Sequence, residues 1–106
     1  MSMYNEQYAS PVLEVFQNLK HQTIEVGDTA VKLPANELED RKSLIIQNKM
    51  AAKVVYLGTS TVTADDEATG GYKLRSNSDI QINLNNTDIY AIVASGTANV
   101  AVLELG

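Results

Sequence analysis

The sequence predicts an all-β domain, an antiparallel β-sandwich or jelly-roll-like small barrel, preceded by a short N-terminal helical arm. Three observations carry this reading. After His21, short runs rich in Val, Ile, Leu, Thr and Tyr recur at intervals near ten residues, separated by Gly, Asn, Asp and Ser. No helical pattern lies between these runs, so they cannot be the strands of βαβ units. Before His21 the period changes, and the apolar residues fall on one face of a helix.

The arm is read from its start signals. Ser10 suits the N-cap, Pro11 the first helical position, and Glu14 stands near the capping-box place. Val12, Leu13, Val15, Phe16 and Leu19 then share a face. A helix from Pro11 to Lys20 is shorter than the roughly 12–15 residues at which isolated helices become marginally stable, so it must dock on something. Residues 1–20 are therefore expected to form an arm and residues 21–106 a β-sandwich domain. The expected interface comprises Tyr4, Tyr8, Val12, Leu13, Val15, Phe16 and Leu19.

Within the body, Gln22 to Val26 and Thr29 to Leu33 flank Gly27-Asp28, a pair suited to a hairpin turn, and Pro34 ends the second run because it has no donor. Residues 34–42 form a charged connection with room for one helical turn. Ser43 to Asn48 and Lys53 to Gly58 are expected to pair across a link of hairpin length. Thr59 to Val62 read as turn or short strand, residues 65–71 as an acidic loop, and Tyr72 to Leu74 as a short strand. In Ile80-Gln81-Ile82-Asn83-Leu84 the alternation is cleanest, one face buried and one wet. Strands from Ile89 to Ala94 and from Ala98 to Leu105 close the chain.

Composition narrows the function classes. A chain of 106 residues holds one domain, and its 44% hydrophobic content is that of a packed protein. With net charge -5 and pI near 4.6, its field repels phosphate backbones and anionic membranes, so no nucleic-acid or membrane partner is expected. No basic n-region and apolar h-region open the chain. The absence of cysteine removes thiolate chemistry, iron–sulfur clusters and Cys-based zinc sites. One histidine, His21, cannot build a two-histidine metal site, and no nucleophile, base and orienting group can be named together. The expectation is a protein that is no enzyme and needs no cofactor or metal.

The remaining chemical signals have plainer readings beside the sharp ones. Asp65-Asp66-Glu67 could hold a hard cation, but the acids do not alternate as in an EF-hand loop, and a solvated turn accounts for them. Gly70-Gly71 lacks the following lysine and helix of a phosphate loop. Arg41, Lys42, Lys49 and Lys53 make the first half of the chain less acidic than the second and are read as part of a mixed solvated face. Tyr56, Tyr72 and Tyr90 would suggest sugar stacking if they formed an exposed row.

From about Val31 onward, roughly three quarters of the chain resembles small β-rich structural proteins of tailed-bacteriophage virions. The residues that carry the resemblance are Leu33-Pro34, then 41–48 (Arg-Lys-Ser-Leu-Ile-Ile-Gln-Asn), then 54–58 (Val-Val-Tyr-Leu-Gly) with Val62-Thr63. Residues 71–74 (Gly-Tyr-Lys-Leu) follow, and the terminal stretch 88–104, with Tyr90-Ala91 and Ser95-Gly96-Thr97, matches best. The resemblance implies a virion component assembled in the host cytoplasm, most simply a head decoration or cement protein. It also implies a homo-oligomer, a trimer by preference, bound to the major capsid or another virion protein. Neck, tail or baseplate components share the pattern, and a carbohydrate- or receptor-binding β-module is the alternative from a different class.

Overall fold

A computed structural model describes residues 16–106. Eight strands follow one another: β1 (Leu19–Val26), β2 (Val31–Leu33), β3 (Ser43–Asn48), β4 (Val55–Gly58), β5 (Tyr72–Leu74), β6 (Asp79–Ile82), β7 (Ile89–Ile92) and β8 (Ala98–Leu105). They form two four-stranded antiparallel sheets, ordered β1-β8-β3-β6 and β2-β7-β4-β5. Each strand pairs with its mirror in the chain: β1 with β8, β2 with β7, β3 with β6 and β4 with β5. The chain is thus one long hairpin bent at the β4–β5 connection and rolled over itself, with β3·β8 and β4·β7 contacts completing the sheets. That order is a jelly roll, and it leaves two open sheets rather than a closed barrel.

The core lies between the sheets and follows the period-two alternation. Along β8, Ala98, Val100, Val102 and Glu104 point inward and are buried, while Asn99, Ala101, Leu103 and Leu105 face out. Leu44 and Ile46 on β3 and Val26 on β1 meet Leu33, Val55, Leu57, Leu74, Ala91 and Val93 from the opposite side. Asn48, fully buried, ties the layers together: its amide donates to Lys53 O (2.8 Å) and Leu74 O (3.1 Å), and its oxygen accepts from Met50 N (3.0 Å).

Several expectations are met. The strands at 72–74 and 98–105 lie where the sequence places them, β2 ends before Pro34, and Ile80, Ile82 and Leu84 share the inward side. Both expected hairpins are overturned. Gly27-Asp28 does not turn β1 back on β2; the chain crosses there to the other sheet, with Val93 N donating to Gly27 O (3.0 Å). The reason is the length of the available ladder: β1 finds eight partners in β8, where the three residues of β2 could offer at most three. Likewise β3 and β4 lie in different sheets, because β3 gains six partners on β8 and four on β6. Residues 34–42 are turns and bends with no helical turn.

The arm boundary also moves. Leu19 and Lys20 are not helical; they open β1, opposite Leu105 and Glu104. Asn18 and Gly106 extend the same ladder by one mutually bonded pair (2.7 and 2.9 Å). Phe16, Gln17 and Asn18 are not helical either; residues 11–15 of the expected helix lie outside the described residues, and the described part of the chain holds no helix.

Candidate functional site

The outward side of the β1-β8-β3-β6 sheet is the first candidate, because it is where the chain enters the domain. Strand register sets its rows: Leu19 beside Leu105 and Ser43, His21 beside Leu103 and Ile45, Thr23 beside Ala101 and Gln47. Leu19 is 65% exposed, the largest exposure among the big apolar side chains described. Leu105, Leu103, Ala101 and Ile45 are half-buried, so an apolar strip runs diagonally across an otherwise polar face. A shallow groove of about 340 Å³ follows it, floored by Ile45, Ala101 and Leu103 and rimmed by His21, Gln47, Lys49 and Asp79.

Of the expected interface residues, the structure describes Phe16, half-buried and just ahead of β1, and Leu19, exposed on β1 at this face. Tyr4, Tyr8, Val12, Leu13 and Val15 lie outside the described residues. Gln17 N and Asn18 N both donate to Gly106 O (2.6 and 2.7 Å), so the point at which residues 1–15 join the domain is fixed against the C-terminus.

The second candidate is a charged cluster that the sequence reading assigned to a solvated face. Arg41 is 2% exposed and forms a buried ion pair with Glu104 (Nη1 to Oε2, 3.0 Å). Its remaining donors bind main-chain oxygens: Nε donates to Leu84 O (3.2 Å) and Asn85 O (2.9 Å), and Nη2 to Asn85 O and Thr87 O (3.0 Å). Glu104 in turn accepts from Leu38 N (3.1 Å). The guanidinium therefore fastens the 83–88 loop and the 35–42 connection to the end of β8, and its charge is fully partnered. Beside it, Glu37 accepts from Asn86 Nδ2 (2.9 Å) and lies near Lys32 Nζ (3.5 Å). The Asn86 hydrogen bond, helped by the cations Lys32 and Arg41, holds the Glu37 carboxyl below the usual glutamate value.

Two of the acidic loop's carboxylates have local partners. Asp65 Oδ1 accepts from Thr63 Oγ1 (3.1 Å) and Glu67 N (2.9 Å), and Asp66 pairs with Lys73 Nζ (2.8 Å). A Cβ at Gly70 would stand 1.9 Å from Asp65 O, so only glycine lets the loop close this tightly. Among the described residues no group of three His, Asp or Glu side chains is placed to hold a metal. The arrangement is that of a self-capped turn at the bend of the rolled hairpin.

The tyrosines do not form one row. Tyr56 and Tyr90 are half-buried diagonal neighbours on the outer side of the β2-β7-β4-β5 sheet, with Lys73 and Lys32 opposite them across the strands. Tyr72, 62% exposed, lies on the other side of its strand from Lys73.

No protein-family model matches the chain, and no curated protein matches it. The reading of the site therefore rests on its own geometry. One signal for the Arg41 cluster was present in the sequence: Glu104 occupies an inward position of the β8 alternation, and a carboxylate there requires a buried cation.

Proposed function

We propose that the protein is a non-catalytic assembly module, and specifically a structural protein of a tailed-phage virion that decorates the head as a small homo-oligomer. The observation that carries this is the exposed Leu19 at the entry of the chain, continuous with the apolar strip of Leu105, Leu103 and Ile45. An apolar strip on a polar face is a surface awaiting cover, and residues 1–15 join the domain beside it. Two further points support the reading: the jelly roll is an architecture used by viral capsid proteins, and the strand-and-turn pattern from Val31 onward resembles phage virion proteins. Fold by itself does not assign function, so the weight rests on the surface.

In this role the arm residues Val12, Leu13, Val15, Phe16 and Leu19 dock on a capsid protein or sister subunit, each contributing about 1.5–3 kcal/mol if fully covered. The ordering cost, about 1–2 kcal/mol per residue of backbone, demands that most of them be covered together. The test is co-sedimentation of the full-length protein with undecorated tailed-phage heads. Wild type is expected in the head fraction and Phe16→Asp in the supernatant, with identical melting curves. Equal retention of both, or no retention of wild type, would rule the reading out.

A second reading is favoured by a separate observation. Tyr56 and Tyr90, diagonal neighbours flanked by Lys73 and Lys32, offer a small aromatic patch on the opposite sheet, and jelly rolls also build lectins. Binding on a glycan array that is lost in Tyr56→Ala would transfer the lead to carbohydrate recognition.

A further inference from the structure

The four sheet edges of this sandwich are unequal. β2 and β5 present three residues each and β6 four, whereas β1 presents eight, Leu19–Val26, with an unbroken register against β8. Short edges are a standard protection against unwanted strand pairing, and so are prolines, bulges and inward charges. β1 contains no proline and no bulge, and its one inward charge, Lys20, stands near the strand's start with its amine bound to Asn36 O (2.7 Å). Among the described residues, the longest edge is the one left open.

Its open groups can be assigned. Asn18 and Gly106 exchange both backbone hydrogen bonds, so in the antiparallel alternation Lys20, Gln22, Ile24 and Val26 also direct their N–H and C=O groups at β8. Leu19, His21, Thr23 and Glu25 direct theirs away from the sheet, and among the described residues none pairs with them. The side chains of these same four are exposed on the outer face.

We propose that this edge pairs antiparallel with the same edge of a second copy, across a two-fold axis at Thr23, joining two four-stranded sheets into one of eight. The axis follows from the side chains. Only registers that set one open residue against another can form the ladder, and those with nearly full overlap centre on Gln22 or on Thr23. Centring on Gln22 sets Glu25 opposite the partner's Leu19. Centring on Thr23 sets His21 opposite the partner's Glu25, Glu25 opposite the partner's His21, and Thr23 opposite the partner's Thr23. These are hydroxyl–hydroxyl and imidazole–carboxylate pairs, polar cross-strand partners of the kind that stabilise a sheet. The strand is complementary to itself, which is why a second copy, rather than an unrelated strand, is its occupant. The outer faces then align, and the two apolar strips of Leu105, Leu103 and Ile45 lie on one continuous surface.

This inference stands apart from the virion reading, and its two-fold symmetry differs from the trimer that the phage resemblance implies. It is tested by sedimentation equilibrium of the full-length protein from micromolar to millimolar concentration. Wild type is expected to approach twice the 11.5 kDa chain mass. Thr23→Pro removes an N–H that no β1–β8 hydrogen bond uses, so it should keep the monomer's melting curve while raising the dimer dissociation constant by at least about tenfold. His21→Glu, which places like charges opposite one another, should do the same without any backbone change. Combining His21→Glu with Glu25→Lys should restore the dimer. A wild-type trimer, a dimer indifferent to Thr23→Pro, or a failure of the charge exchange to restore pairing would each overturn the proposal. So would a wild-type monomer, which would leave the edge to the chain's own residues 1–15.

Discussion

Arg41–Glu104 and Lys73–Asp66 are the same chemistry at two depths. The first pair has side chains 0% and 1% exposed, the second 37% and 74%. Their distances hardly differ, 3.0 and 2.8 Å, so distance cannot rank them. Surroundings do. At the surface, water screens the pair and can replace either partner, whereas in the interior each charge depends on the other and on fixed carbonyls. In this protein the interior charge is the one that joins loops to β8, and each of its partners depends on the other, while the charge of the acidic loop at the far bend is shared with water.

The largest effect that could break this contrast comes from Arg41→Met. It strands the Glu104 carboxylate and frees the carbonyls of Leu84, Asn85 and Thr87, and should cost about 3–5 kcal/mol in urea unfolding at neutral pH. Adding Glu104→Leu should recover at least about 1 kcal/mol of that loss, because an unpaired buried charge is worse than none. A loss below about 1 kcal/mol for Arg41→Met alone would place the two pairs on one footing.

An intermediate effect is expected at Glu37, whose carboxyl is mostly covered but touches the edge of the cluster. Its folded-state value lies below the ordinary 4.5, since Asn86 and the neighbouring cations favour the charged form. Its contribution is therefore fully present above pH 4.5 and is lost as pH falls through the lowered folded value. Glu37→Gln should lower the neutral plateau of a stability–pH profile modestly and flatten its acid limb below pH 4.5, so that the two proteins converge at low pH. An unaltered acid limb would remove Glu37 from the cluster's energetics.

The smallest effect is expected for Asp66→Asn. The Lys73 ammonium, held above its usual value by the Asp66 hydrogen bond, is open to water, and at about 0.15 M salt the substitution should not move the urea midpoint measurably. A clear loss would mean that the 65–71 loop depends on this contact to hold β5, and the contrast would then narrow.

Legibility followed the range of each interaction. The buried side of Ile80 to Leu84 could be read directly, because it is written in every second residue, and the extent of the strand from Ala98 to Leu105 could be read from its apolar run. The turn at Gly27-Asp28 was misleading: its residues permit a hairpin, but permission is local and the better ladder was 72 residues or more away, at β8. Leu19 carried apolar character that fits a helix face or a strand face equally well, and its pairing with Leu105 decided between them. Arg41 looked like a surface cation beside Lys42, and only the burial of Glu104 above it gives it another role. Of the expected interface, Leu19 lies on the exposed face and Phe16 is half-buried just ahead of β1, while the other five positions lie outside the described residues.

By itself the sequence determined an all-β body of short strands, the inward residues of Ile80 to Leu84, the end of β2 at Pro34 and the place of the acidic turn, since all of these are properties of neighbours along the chain. The tertiary structure alone decided that strands pair with their mirrors in the chain, that β1 is a long sheet edge with no second partner among the described residues, and that Arg41 is an interior residue. Pairing is a competition among distant segments for ladder length and core burial, and its outcome is a property of the whole set of strands rather than of any one of them.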